Sequence, residues 1–83
     1  MLIVAIKDKL AQKFVQFIPS TNLDVVKRDL KNAVKQPTSI FCTNSEDFDV
    51  YKLGDLDETS GAITPTQDML FNLHDLKDDP QVL

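Results

Sequence analysis

The chain has 83 residues, 42% hydrophobic and 27% charged, with two glycines; this is a globular composition, not a disordered or collagen-like one, and the length allows one domain with a thin core. No apolar run approaches the roughly 20 residues of a membrane-spanning helix, and one cysteine (Cys42) with one histidine (His74) excludes an internal disulfide and a zinc cage. The net charge of −4 hides an asymmetry, because residues 1–36 hold seven basic groups against three acids and residues 37–83 hold two against ten, as in a polyanion-binding half joined to an acidic half.

Leu2 to Ile6 is a continuous apolar run rich in β-branched residues, which predicts a central strand covered on both faces. Lys7-Asp8-Lys9 cuts that run short of a secretory leader, so an intracellular protein is expected. Phe14 to Ile18 predicts a second strand closed by Pro19, although Leu10, Phe14, Phe17 and Ile18 also fit helical spacing. The connection between the two runs lacks the Asn-Gly or Asp-Gly signal of a tight hairpin, and its turn type is not legible.

Thr21 or Asn22 can cap a helix over about 23–36, in which Leu23, Val26, Leu30, Ala33 and Val34 recur at helical spacing before Pro37. Its polar side carries Lys27, Lys31 and Lys35 one turn apart with Arg28 beside them, a stripe suited to phosphate or simply to water. Pro37 to Asn44 is loop-like, with Ile40, Phe41 and Cys42 as an apolar patch under the sheet. Phe48 to Leu56 then reads as the longest strand, and Gly54 within it marks a bulge or a close backbone approach. Asp57 to Gly61 is a hairpin connection, Ala62 to Thr64 a short returning strand before Pro65, and Met69, Leu70, Leu73 and Leu76 the apolar stripe of a last helix ended by Asp78-Asp79-Pro80. These elements define a single α+β domain over 1–83, order ββαββ, with a mostly antiparallel sheet and one main helix packed on one face.

Catalytic chemistry finds little support: His74 has no Ser or Cys near it in sequence, Cys42 sits among loop apolar residues, and no glycine-rich phosphate loop exists. Asp55, Asp57 and Glu58 are too short a run for an EF-hand loop. No catalytic residue, cofactor or metal is therefore expected. Single-stranded nucleic acid is held by a basic track plus aromatic rings on which bases stack, and Tyr51 and Lys52, with Phe48, on a strand beside the basic helix would supply both, Phe14, Phe17 and Phe41 ranking behind Tyr51 as stacking rings. The candidate nucleic-acid-binding residues are thus Lys27, Arg28, Lys31, Lys35, Tyr51 and Lys52, against the plainer reading of a core tyrosine and a solvated helix face. A thin core without disulfide or metal also predicts a homodimer, paired through a sheet edge or an apolar sheet face.

The stretch from Phe41-Cys42 through Asn44-Ser45-Glu46-Asp47-Phe48-Asp49-Val50-Tyr51-Lys52-Leu53-Gly54-Asp55-Leu56-Asp57-Glu58-Thr59-Ser60-Gly61 to Ile63 resembles the signature of the small nonstructural protein of gokushoviruses, single-stranded DNA bacteriophages of the microvirus group. That signature, P-E-D-F-x-L-Y-x-L-G-x-F-D-x-x-T-G, precedes a variable tail, here about 66–83. Ile3 to Lys9 and Phe14 to Pro19 also look like the family's opening. Ser45, Val50 and Leu56 depart from the usual Pro, Leu and Phe, and Ser60 is an extra residue before Gly61. The resemblance implies a DNA-binding, non-capsid factor of genome replication and packaging in the host bacterial cytoplasm, with phage replication or procapsid proteins as partners. The alternative is a protein-interaction adaptor binding such a partner through its acidic C-terminal half.

Overall fold

A computed structural model describes residues 1–77. The elements in chain order are β1 (Leu2–Asp8), β2 (Lys13–Ser20), α1 (Leu23–Val34), α2 (Ile40–Thr43), a 3-10 turn (Ser45–Asp47), β3 (Phe48–Leu56), β4 (Ile63–Asn72) and α3 (Leu73–Lys77). The strands form one sheet in the order β2-β1-β3-β4, every neighbouring pair antiparallel. The α+β class and the ββαββ order follow the sequence pattern, with the short α2 inside the segment read as loop-like and α3 as a shorter form of the expected last helix.

Alternation along the strands decides which side holds the core. Val4 and Ile6 of β1 and Phe48 and Val50 of β3 share one face, where they pack with Val26, Leu30 and Val34 of α1 and Leu73 and Leu76 of α3. Each such buried aliphatic side chain contributes about 1.5–3 kcal/mol relative to exposure. Phe41 of α2 closes the same cluster, its ring edge-on to Phe48 with centroids 5.0 Å apart. All three helices therefore lie on one side of the sheet. β1 is central as expected, but among the described residues no helix lies on its second face, contrary to the cover expected on both.

The helix starts where Asn22 Oδ1 accepts the Val25 N–H at 3.0 Å, with Asp24 in the first turn. It ends at Val34, two residues short of the expected limit, where the approach to Pro37 disfavours further helix. The β1–β2 turn is built by Asp8, whose carboxylate accepts the N–H groups of Leu10 and Ala11 at 3.0 and 3.1 Å while Gln12 takes a left-handed φ of 60°. At the other hairpin Asp57 plays the same part, accepting from Thr59 at 2.9 Å and Ser60 at 3.3 Å, and Gly61 supplies φ 79°.

β3 has the bounds expected of it, and the ladder shifts register on both sides of it near Gly54. A Cβ at Gly54 would lie 2.8 Å from the Thr64 carbonyl oxygen, so the close approach inferred from the sequence is real. β4 departs from expectation. It continues through Pro65 to Asn72, so Met69 and Leu70 are strand residues and only Leu73–Lys77 is helical. β4 is an edge strand, where a proline's missing N–H is tolerated, and a register shift between Phe71 and Met69 disguises its period of two. The Asp78-Asp79-Pro80 stop lies outside the described residues.

Candidate nucleic-acid interface

The helix-free face of the sheet is organised around one row that crosses all four strands. Ala5 stands opposite Phe17 and Tyr51, and Tyr51 stands opposite Met69. Ala5 is fully buried although it is not part of the helix-side core, whereas Phe17 and Met69 are 59% and 49% exposed. Next to this row Phe14 meets Tyr51 edge-on, ring centroids 5.4 Å apart and planes at 88°. The Lys7 ammonium lies 5.9 Å from the Phe14 centroid and 5.8 Å from that of Tyr51. A cation over two rings holds them in place and adds about 0.5–1 kcal/mol per exposed contact.

At the β1–β2 hairpin end Lys7 lies against these rings and Lys9 reaches the same side through Asp49, whereas Lys13, opposite Asp8, belongs to the helix-side row. The acid opposite Lys7 is Asp49, and it is already matched: Lys9 Nζ lies 3.7 Å from its carboxylate and Asn72 Nδ2 donates to it at 2.8 Å. The result is an apolar, aromatic surface with a basic rim, the combination that receives a stacked base and its phosphate.

The residues chosen from sequence are divided between the two faces. Tyr51 is on the open face, while Lys52, opposite Val4, is on the helix side and forms an ion pair with Asp55 at 3.0 Å. The α1 stripe lies on the helix layer, across the sheet from Tyr51. Lys27 there sits over the Phe71 ring at 5.8 Å, Arg28 pairs with Asp29 at 3.3 Å, Lys31 is half-buried and Lys35 exposed. The stripe and the aromatic surface therefore do not form one groove. Phe48 is buried in the helix-side core, while Phe14 and Phe17, which rank behind Tyr51 in the sequence, stand on its side of the sheet; Lys7 is the residue that sequence reasoning misses, and its signal is the break of the apolar run at the position that alternates with Ala5.

A second polar constellation joins α3 to the segment before β3. Ser45 Oγ lies 3.2 Å from His74 Nδ1, and His74 Nε2 is 3.9 Å from the Glu46 carboxylate, so the fold supplies the serine that His74 lacks in sequence. These are hydrolase residue types, and Ser45, Glu46 and His74 line a cleft of about 260 Å³, but Ser45 is only 3% exposed. Around it, His74 N–H donates to Asn72 Oδ1 at 2.9 Å and Lys77 Nζ to the Cys42 carbonyl at 3.1 Å. The arrangement fastens α3 over the core. Among the described residues no group of three or more His, Cys, Asp or Glu side chains is gathered as a metal would require, and no helix is long and apolar enough to cross a membrane.

An antiparallel four-stranded sheet with helices on one face, and exposed Phe17 beside half-buried Phe14 and Tyr51 on the other, defines a small α+β protein. The chain belongs to the Phage ORF5 protein family, whose model matches residues 1–76. No curated protein and no solved structure matches it.

Proposed function

We propose that this phage protein is a non-enzymatic, single-stranded DNA-binding factor of the gokushovirus type, acting in genome replication and packaging in the host bacterial cytoplasm. The observation that carries the reading is the Lys7 ammonium shared by the Phe14 and Tyr51 rings, beside exposed Phe17, on a sheet face that no helix of the described residues covers. Bases of an unpaired strand stack on such rings whatever their identity, and the phosphates between them meet Lys7 and Lys9. A duplex cannot offer its base faces, so this surface favours single strands. The basic end of the chain thus contributes through its first hairpin more than through α1.

The test is a fluorescence titration with short oligothymidine and with duplex DNA at several salt concentrations. The reading predicts tighter binding to the single strand, with log K falling against log salt by about 0.7 for each phosphate neutralised. Equal affinity for duplex, or no binding at micromolar protein, would favour the adaptor that engages a replication or procapsid protein through its acidic half.

A further inference from the structure

The two edges of the sheet are not alike. β4, at one edge, is interrupted by two register shifts and carries Pro65 and Asp68, devices that keep an edge from pairing with another chain. β2, at the other, has one register shift and carries Lys13 and Pro19 only towards its ends; between them it runs Phe14-Val15-Gln16-Phe17-Ile18 without a charge, a glycine or a proline, and Val15 and Phe17 are 41% and 59% exposed. Among the described residues its outer backbone groups face no other strand. An edge of this composition is a template for strand addition unless something covers it.

We propose that the occupant is the β2 strand of a second copy of this chain, joined antiparallel to give a continuous eight-stranded sheet. Three features select that partner. β2 is self-complementary in charge, because antiparallel pairing carries its sole charged residue, Lys13, towards the uncharged Ser20 end of the other copy. Pairing of one edge with itself is two-fold and closes at two copies, whereas β2 pairing with the interrupted β4 edge would propagate into a filament. The helices of both copies fall on the same side of the joined sheet, so the two open faces form one continuous surface. The interface stands on the edge alone and does not depend on what the open face binds.

Gln16, exposed at the middle of β2, lies near the two-fold axis in this arrangement. The test is sedimentation of the full chain at micromolar concentration together with Gln16→Lys, Gln16→Glu and their equimolar mixture, each checked for folding by circular dichroism. The wild type is expected at twice the 9.4 kDa monomer mass, each single variant at the monomer mass because like charges then face one another, and the mixture again at twice that mass. A monomeric wild type overturns the proposal. So do two variants that dimerise as the wild type does, which would move the interface to the open face or another surface, and so does a mixture that stays monomeric.

Discussion

The two faces of the same sheet put neighbouring residues to opposite uses. On the helix side Val4, Ile6 and Val50 are wholly buried and join residues of α1 and α3. On the open side, one position along the same strands, the row Phe17-Ala5-Tyr51-Met69 buries only its alanine completely. Stability is concentrated on the first face, and the second keeps large apolar side chains in water, which a monomeric domain does not need for folding and a binding surface does. Substitutions on the two faces should therefore separate folding from binding.

The largest expected effect is on the covered face. Ile6→Ala removes a fully buried side chain between α1 and the sheet and should lower unfolding free energy by about 2–5 kcal/mol in urea titration. Such a loss is a large part of what a domain this small has. A change below about 1 kcal/mol would mean that the covered face is not the core. Gly54→Val comes next: the new side chain starts 2.8 Å from the Thr64 carbonyl oxygen, a backbone atom that cannot swing away. The expected destabilisation is about 1–3 kcal/mol by thermal melting, and a neutral result would mean that β3 and β4 separate there without penalty.

A smaller effect depends on pH. The Thr59 and Ser60 N–H groups hold the Asp57 carboxyl below its ordinary value of 3.8. Because the folded pKa is the lower one, the carboxylate's contribution is fully present above the unfolded value and is lost as pH falls through the folded value. Melting temperatures of the wild type and Asp57→Ala should differ by a constant amount from neutral pH down to about the ordinary carboxylate value and converge below it. A gap that persists in strong acid would assign the turn's stability to Gly61 and the backbone instead. Smallest of all is Lys31→Glu on α1, which should shift stability by no more than about 0.5 kcal/mol and leave the salt slope of DNA binding unchanged, because α1 lies across the sheet from the aromatic row.

Much of this architecture was legible in the residues. Asn22 and Pro37 bracket α1, the Phe48-to-Leu56 alternation marks β3 to its ends, and Gly54 and Gly61 stand where a close approach and a positive φ require them. β4 was hidden for two local reasons: Pro65 mimics a strand end, and the register shift near Leu70 turns a period of two into spacing that suits a helix. The candidate site was legible only in part. Tyr51 was found because its strand alternates clearly. Its partners Lys7, Phe14 and Phe17 come from β1 and β2, and which side of the sheet α1 would cover is set by packing that no local pattern records. For the same reason the α1 stripe and Tyr51 looked like neighbours. His74 shows the converse, since Ser45 and Glu46 meet it only through the closure of α3 on the segment before β3.

The most direct test of the open face as the DNA surface is a titration of Tyr51→Ala and Tyr51→Phe against short oligothymidine, beside Lys31→Glu. Loss of one stacking ring is worth about 1–3 kcal/mol, so Tyr51→Ala should bind roughly 5- to 150-fold more weakly while Tyr51→Phe and Lys31→Glu stay close to wild type. Wild-type affinity in Tyr51→Ala together with weakened binding in Lys31→Glu would contradict the account and place the DNA on the helix layer.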